Sequence, residues 1–223
     1  MDDQVIGRKA TFEDPLRVGI LVSGRGSNMA AIVQAAQRRE IPVRPVIVIA
    51  DRPEAPALER ARSMGVAAVA LDYRSAASAA EYHERLLAHL RHAQVEWVVL
   101  AGYMRILPRS FVQAYAGRIV NIHPSLLPAF PGLRPHQQAL DHGVKVSGAT
   151  VHLVDEGVDT GPILLQEAVP VWDDDDAETL AARILEVEHR LYPRALALIA
   201  SGRLRLVGRR IVGAAPPDSI RQP

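Results

Sequence analysis

Asn121 and His123 lie two residues apart at the end of an apolar segment that Pro124 terminates. The residue before a proline favours extended geometry, so we expect His123 to be the last residue of a strand. Strand alternation then places both side chains on one face, with Ile122 on the other. An amide can donate hydrogen bonds to developing negative charge, and an imidazole can carry a proton near neutral pH. The pair is a candidate for acyl-group chemistry, although an isolated Asn-x-His more often only caps neighbouring backbone.

A glycine-rich turn, Ser23-Gly24-Arg25-Gly26-Ser27-Asn28, separates the first long apolar segment from an amphipathic one. Backbone N–H groups in such a turn can approach an anion at a helix N-terminus, and phosphate is the natural ligand. The dinucleotide fingerprint would need a glycine at Met29, and a P-loop would need Gly-Lys-Ser/Thr. A tight strand-to-helix turn capped by Ser27 or Asn28 explains the same residues equally well.

Acidic residues in the second half of the chain have two interpretations each. Asp159 lies in the short segment 155–161, where Asp and Gly are ordinary turn residues. A carboxylate close to His123 would instead raise the pKa of that imidazole and hold it as a proton donor. Glu188 flanks the apolar face of the last helix, either solvated, which is the more frequent case, or facing a cleft and a substrate. Residues 173–176 are four aspartates that predict a helix N-cap rather than a metal site.

Apolar segments alternate with amphipathic ones through the first half of the chain, at residues 16–23, 43–50, 67–71, 95–101 and 118–123. Apolar runs that alternate with helices are typical of parallel strands covered on both faces. Residues 146–154 and 162–171 are joined by only about seven residues, too few for a parallel crossover, so we predict an antiparallel pair.

The predicted fold is therefore α/β, a single domain with a mostly parallel Rossmann-like sheet, helices on both faces and an antiparallel C-terminal strand pair. We predict a flexible N-terminal tail over residues 1–15, the domain over 16–207, and a C-terminal tail over 208–223. On the helix that we expect near residues 78–92, the histidines His83, His89 and His92 are predicted to lie at the surface.

Composition limits the function classes. The chain has 223 residues, 48% hydrophobic and 23% charged, with a net charge of +1, which argues against nucleic-acid binding by bulk charge. It has no cysteine, which excludes disulfides and thiolate chemistry and is compatible with a reducing compartment. Neither a signal-peptide pattern nor an apolar run of about 20 residues is present. We expect a cytoplasmic protein, monomer or homodimer, with small-molecule substrates and no nucleic-acid, membrane or metal partner.

Three groups of motifs together resemble one family, the phosphoribosylglycinamide formyltransferases, which are folate-dependent enzymes of de novo purine synthesis. They are Ser23-Gly24-x-Gly26-Ser27-Asn28; Ala101-Gly102-Tyr103-Met104-Arg105-Ile106-Leu107 with Asn121-Ile122-His123-Pro124-Ser125-Leu126-Leu127-Pro128; and Gly148-Ala149-Thr150-Val151-His152 with Asp159-Thr160-Gly161-Pro162. The likeness spans about residues 16–207. The central motifs are shared by all formyltetrahydrofolate-using formyltransferases and hydrolases. The continuation Phe130-Pro131-Gly132-Leu133 and the Gly-Ser-Asn turn narrow the resemblance to the phosphoribosylglycinamide formyltransferases.

The resemblance implies transfer of the formyl group of 10-formyltetrahydrofolate, a co-substrate, to the amine of N1-(5-phospho-D-ribosyl)glycinamide, without a metal. It implies catalytic roles for Asn121, His123 and Asp159. It implies ribonucleotide binding by Gly26, Ser27, Asn28 and Glu188. The implied folate-binding residues are Met104, Arg105, Ile106, Leu107, Asn121, Asp155, Glu156, Gly157, Val158 and Asp159.

One departure from the family concerns the folate tail. The family often has a basic residue at the position that is Ala79 here, and Arg74 is a possible substitute. The sequence also leaves open whether the Leu127-Pro128 bond is cis and how far Asp159 lies from His123. Two alternative functions remain, a formyltetrahydrofolate hydrolase with the same catalytic residues, and a non-catalytic phosphate- or folate-binding module.

Overall fold

The computed structural model describes residues 4–213, which form ten strands and six α-helices. The strands are β1 (Gln4–Ile6), β2 (Leu16–Val22), β3 (Val43–Ala50), β4 (Ala68–Ala70), β5 (Trp97–Leu100), β6 (Ile119–His123), β7 (Val146–Leu153), β8 (Ile163–Pro170), β9 (Leu204–Val207) and β10 (Arg210–Val212). The helices are α1 (Ser27–Gln37), α2 (Pro56–Ser63), α3 (Ala79–His92), α4 (Arg109–Ala114), α5 (Pro135–Asp141) and α6 (Ala177–Ala200).

The main sheet has seven strands in the order β4-β3-β2-β5-β6-β7-β8. The five strands from β4 to β6 are parallel, and β7 and β8 are antiparallel to their neighbours. The predicted α/β architecture is therefore confirmed, including the antiparallel pair late in the chain. The carboxyl ends of β2, β5 and β6 lie side by side at one edge of the sheet, which is where parallel α/β sheets bind ligands.

Side chains that alternate along the strands divide the core into two layers. Val48 and Ala50 of β3 face the layer under α1, α2 and α6, whereas Ile47 and Ile49 face the layer under α3 and α4. Strands that are apolar on both faces need helices on both sides, which is why these segments show no polar alternation.

Residues 4–15 are not part of a loose tail such as we predicted for residues 1–15. Gln4–Ile6 pair with β9 in an antiparallel arrangement, and the Ile6 side chain is buried in the core. Arg8 then forms ion pairs with Glu96 at 2.6 Å and with Asp14 at 2.8 Å. The pairing could not be predicted because a three-residue strand carries little periodicity and its partner lies about 200 residues away.

The C-terminal tail predicted over residues 208–223 is likewise wrong at its start. Arg210–Val212 form β10, which pairs with β9 to complete a second, three-stranded sheet in the order β1-β9-β10. Gly208 has a φ of +62°, a left-handed conformation that suits the tight turn between the two strands. The rest of the predicted tail, residues 214–223, lies outside the described residues.

The acidic segment 173–176 caps α6, as predicted. The Asp176 side chain accepts hydrogen bonds from the backbone N–H groups of Glu178 and Thr179, and the Thr179 hydroxyl accepts one from the Asp176 N–H, which completes a capping box. Asp175 is paired with Arg183 at 2.7 Å. Within residues 4–213 no cluster of His, Cys, Asp or Glu could hold a metal ion, and no helix is long and apolar enough to cross a membrane.

His83 is buried, so its predicted surface position is wrong. Its Nδ1 bonds to the Ala79 carbonyl at 2.6 Å, and its Nε2 is buried without a hydrogen-bond partner among residues 4–213. The ring packs edge-on against Tyr82 and Phe111. The helical position at i+4 from Ala79 faces α4, a contact that only the tertiary structure specifies.

The buried His83 should make the protein less stable in mild acid. Burial lowers the pKa of this ring below its ordinary value of 6.5, so the unfolded chain takes up the proton first as the pH falls. The contribution of His83 to stability is complete above about pH 6.5 and decreases below it. Urea unfolding at about pH 7.5 and pH 5.5 should show a larger loss of stability for the unmodified protein than for His83→Gln. His92→Gln, on the same helix, controls for the loss of a histidine, and equal losses in all three proteins would contradict the prediction.

Candidate functional site

Asn121 and His123 lie at the carboxyl end of β6, near the centre of the sheet. His123 is the last residue of β6, and Pro124 ends the strand as predicted. In the antiparallel ladder with β7, Asn121 lies opposite His152 and His123 opposite Thr150. A loop then leads to Gly132 and is held by Thr150, whose hydroxyl donates to the Ser125 carbonyl at 2.6 Å. The Leu127-Pro128 bond in this loop, which the sequence left open, is cis.

The Asp159 carboxylate lies next to both Asn121 and His123. Its Oδ2 lies 3.3 Å from Nδ1 of His123, and its Oδ1 lies 3.5 Å from the Asn121 amide nitrogen. The backbone N–H of Gly132 donates to Oδ2 at 2.8 Å and fixes the carboxylate. Asp159 has a φ of +55°, a left-handed conformation that Asp tolerates better than most residues. The turn is built by Asp155, whose carboxylate accepts hydrogen bonds from Gly157 N–H and the Thr160 hydroxyl.

The His123 ring has a hydrogen-bond acceptor at each nitrogen. Nε2 lies 2.9 Å from the Phe130 carbonyl, which can only accept, so Nε2 carries a proton. Nδ1 faces the Asp159 carboxylate, which favours a second proton there. Burial lowers the pKa of His123 below its ordinary value, while the Phe130 carbonyl and the Asp159 carboxylate oppose that shift. The surroundings thus allow the ring to take up and release a proton.

His152 is a part of the site that the sequence reasoning did not single out. Its Nδ1 donates to the Leu153 carbonyl at 2.8 Å, which leaves Nε2 as an acceptor 3.2 Å from the Asn121 amide nitrogen. His152 therefore orients the Asn121 amide. Burial on its own would raise the pKa of Asp159, but the Gly132 N–H and the neighbouring His123 bring it below the ordinary value. The motif of His152 is present in the sequence, but only the β6–β7 register brings it next to Asn121.

The glycine-rich turn and α6 meet beside the same site. Gly26 has a φ of +71°, and a Cβ there would lie 2.6 Å from that of Ala57, so only glycine fits. Asn28, in the first turn of α1, donates to the Glu188 carboxylate at 2.7 Å, and its Oδ1 is buried without a partner among the described residues. Glu188 is 6% exposed, and burial raises the pKa of its carboxyl, an effect that the Asn28 hydrogen bond opposes. Of the two interpretations of Glu188, the structure favours the cleft.

The loop after β5 forms the outer wall of the site. The Met104 backbone N–H donates to the Ser23 hydroxyl at 2.9 Å, which ties this loop to the glycine-rich turn. Met104 and Ile106 are 64% and 77% exposed, unusual for apolar side chains. The Arg105 guanidinium is paired with the buried Asp51 at 2.7 Å and lies over the Tyr73 ring.

Most of these groups line one cavity of about 520 Å³, named here the candidate site cavity. Thirteen predicted site residues are among its lining residues: Asn28, Met104, Arg105, Ile106, Leu107, Asn121, His123, Asp155, Glu156, Gly157, Val158, Asp159 and Glu188. The other two predicted site residues, Gly26 and Ser27, are not among its lining residues. Ala79 and Arg74 do not line it, and the Arg74 guanidinium is paired with Glu54 and Asp72 instead.

Comparison with known proteins gives consistent matches over most of the chain. The family model for Formyl transferase matches residues 16–196. The phosphoribosylglycinamide formyltransferase of Bacillus subtilis is 42% identical over 177 residues, which cover 79% of this chain and 91% of that protein. The trifunctional purine biosynthetic protein adenosine-3 of Drosophila pseudoobscura is 47% identical over 204 residues, or 91% of this chain. The chain spans only 15% of that longer relative.

Solved structures agree with these matches. The glycinamide ribonucleotide transformylase 1 of Symbiobacterium toebii superposes with a TM-score of 0.87 at 50% identity, covering 88% of this chain and 93% of the other. A formyltetrahydrofolate deformylase from Pseudomonas syringae has a similar TM-score of 0.84 but 27% identity, and the match covers 66% of its chain.

Proposed function

The chain belongs to the formyl transferase family, and on this premise we propose that it transfers the formyl group of 10-formyltetrahydrofolate to the amine of N1-(5-phospho-D-ribosyl)glycinamide in de novo purine biosynthesis. The observation that carries the proposal is that one cavity joins the Asn28–Glu188 pair, the catalytic side chains and an apolar mouth. Two substrates held in one cavity can react directly, without a covalent intermediate on the protein or a metal.

The ribonucleotide is proposed to bind at the glycine-rich turn. Its phosphate would lie on the backbone N–H groups of Gly26, Ser27 and Asn28 at the start of α1. Glu188 would accept hydrogen bonds from the sugar or amine end, and the unpartnered Asn28 Oδ1 offers a further acceptor. Buried polar atoms are almost always partnered in proteins, so an orphan acceptor in a cavity supports a polar ligand there.

The folate is proposed to enter through the apolar mouth. Met104, Ile106, Leu133 and Val158 are large apolar side chains around this opening, and each is more than half exposed. An exposed apolar cluster at a cavity mouth suits a flat aromatic ligand. The loop at residues 155–159 would close over the pterin ring, and Arg105 and Leu107 would complete the wall.

In the proposed reaction the substrate amine attacks the formyl carbon, and the formyl oxygen gains negative charge. The Asn121 amide and the protonated His123 would donate hydrogen bonds to that oxygen. A new C–N bond forms to the amine, the bond to the folate nitrogen breaks, and one proton passes from the attacking to the leaving nitrogen. Asp159 would hold the His123 proton and help that transfer, directly or through water.

The proposed function is tested by mixing the protein with 10-formyltetrahydrofolate, with and without the ribonucleotide. Loss of the formyl group from folate only in the presence of the ribonucleotide, with formylated ribonucleotide as product, would support transfer. Loss without the acceptor would identify the hydrolase alternative, for which only the more distant deformylase match argues. If the folate kept its formyl group in both mixtures, the result would support the remaining alternative, a non-catalytic phosphate- or folate-binding module.

Glu188→Gln should raise KM for the ribonucleotide about tenfold and change KM for the folate little. The amide can still accept from Asn28, but it lacks the charge that strengthens hydrogen bonds to substrate hydroxyls and amines. Steady-state kinetics with each substrate varied in turn measures both constants. Glu186→Gln, at an exposed position of the same helix, is the control. An unchanged KM for the ribonucleotide in Glu188→Gln would remove Glu188 from the binding site.

We also propose that the protein acts in the cytoplasm, as a monomer or a homodimer. The absence of cysteine suits a reducing compartment, and light scattering of the purified protein distinguishes the two oligomeric states.

A further inference from the structure

The segment 155–161, named here the Asp159 loop, is bound from outside by a residue of the second sheet. Nη2 of Arg209, in the turn between β9 and β10, donates to the Thr160 carbonyl at 2.5 Å. Thr160 directly follows Asp159, so this contact holds the backbone next to the Asp159 carboxylate. The second sheet therefore contacts, through Arg209, a loop that lines the candidate site cavity.

The second sheet gives Arg209 a firm support. Its central strand, β9, pairs with β1 on one edge and with β10 on the other. Leu204 of β9 and Ile6 of β1 are both buried in the core that underlies the main sheet. Val207 pairs with Arg210, so the turn between them has only two residues and leaves the backbone little freedom. The Arg209 backbone thus has a defined position relative to the core.

Side chains, rather than a backbone ladder, fix the Asp159 loop. No backbone-to-backbone hydrogen bond joins residues 155–161 to any other residue between positions 4 and 213. Inside the loop, the Thr160 hydroxyl donates to the Asp155 carboxylate at 2.6 Å. At its end, a Cβ on Gly161 would lie 1.8 Å from the Leu153 carbonyl oxygen, so the chain passes very close to β7 there. The hydrogen bond from Arg209 adds a fixed point between this close approach and Asp159.

A second external contact acts on a different part of the loop. The Arg109 guanidinium of α4 pairs with the Glu156 carboxylate at 2.9 Å. These side chains are 74% and 49% exposed, and ion pairs between exposed side chains contribute little. Glu156 also precedes Asp159 by three residues, whereas the Arg209 hydrogen bond is one residue away and goes to the backbone. Loss of Arg209 should therefore affect Asp159 and leave the first half of the loop in place.

The contacts of the Asp159 carboxylate are sensitive to small displacements. Oδ2 lies 3.3 Å from Nδ1 of His123, and Oδ1 lies 3.5 Å from the Asn121 amide nitrogen. Hydrogen bonds from N–H to oxygen usually span about 2.7–3.2 Å. The Gly132 N–H holds Oδ2 from the other side at 2.8 Å, but it also belongs to a loop. An outward shift of Thr160 by a few tenths of an ångström would move the carboxylate beyond reach of both partners.

We propose that Arg209 is a positioning residue for the reaction, which holds the Asp159 carboxylate against His123 and Asn121 through the Thr160 carbonyl. This role rests on the proposed function, which makes Asp159 catalytic. Arg209 is exposed and is not among the residues that line the candidate site cavity, so it acts through the loop and not on a substrate. The second sheet, with the first strand of the chain, thus contributes to the site through one side chain.

Arg209→Ala should lower kcat about fivefold and leave KM for both substrates within about twofold. One hydrogen bond is lost, which corresponds to about fivefold in the population of the correctly placed loop, and Asp159 acts on the chemical step. Arg209→Lys keeps a donor and should recover most of the lost kcat. Titration of the histidine ring protons by NMR should give a lower pKa for His123 in Arg209→Ala, because a carboxylate that moves away no longer raises it.

Arg210→Ala is the matched control, since Arg210 is the next residue and is equally exposed. It should change neither kcat nor the pKa of His123, and thermal unfolding checks that all variants fold. Unchanged kcat and His123 pKa in Arg209→Ala would overturn the inference, while formyl transfer by the unmodified protein would still support the proposed function. A lower kcat without a change at His123 would also overturn it, because the loss would not act through Asp159.

Failure of the proposed function gives a different result. A lower pKa of His123 in Arg209→Ala, together with no formyl transfer by the unmodified protein, would support the positioning of Asp159 by Arg209 and overturn the proposed function.

Discussion

His123→Ala should lower kcat for formyl transfer by about 100- to 1000-fold while the affinities for both substrates stay within a few-fold. The imidazole is proposed to donate to the formyl oxygen only as negative charge develops there, so its loss acts on the transition state. Removing one donor of this kind typically costs about 100- to 1000-fold in rate. Steady-state kinetics gives kcat, and calorimetric titration of each substrate alone gives the affinities.

The His123→Ala variant should fold, because the carbonyl that accepts from His123 has a second hydrogen-bond donor nearby. The Phe130 carbonyl, which accepts from His123 Nε2, also lies 3.3 Å from the Ser125 hydroxyl. Thermal unfolding of the variant checks this point. His92→Ala, at an exposed position at the end of α3, is the control for the loss of an imidazole. Turnover near that of the unmodified protein in His123→Ala would remove the ring from the catalytic machinery.

Asp159→Asn should lower kcat by about 100-fold or more, because it removes the negative charge that favours a protonated His123. Asparagine is the suitable replacement for two reasons. It tolerates the left-handed backbone at this position, and its carbonyl can still accept from the Gly132 N–H. The substitution therefore changes the charge and leaves the geometry of the loop. General acid–base residues typically contribute about 100- to 10,000-fold, which sets the expected scale.

A spectroscopic measurement separates the electrostatic role of Asp159 from a structural role in its loop. Asp159 raises the pKa of His123 against the effect of burial, so Asp159→Asn should move the pKa of that ring further down. Titration of the histidine ring protons by NMR measures the change. Asp155→Asn is the control in the same loop, since the Asp155 carboxylate holds the turn together through Gly157 and Thr160. A similar loss of kcat in both variants, with no change at His123, would assign Asp159 to loop structure alone.

The candidate site was predictable from sequence to different degrees. Pro124 fixed the end of β6, and alternation placed Asn121 and His123 on one face, because both effects are local. His152 was missed as a contributor, because its position opposite Asn121 depends on the register of β6 and β7.

The sequence by itself determined the strand–helix alternation, the antiparallel pair, the cap of α6 and, through its motifs, the family. These features depend on neighbouring residues and on periodicity. Only the tertiary structure decided that Oδ2 of Asp159 lies 3.3 Å from Nδ1 of His123 and that Glu188 is buried against Asn28. It also decided that Gln4–Ile6 pair with β9. Each of these contacts joins segments that are far apart along the chain, and the packing of the whole core sets their distances.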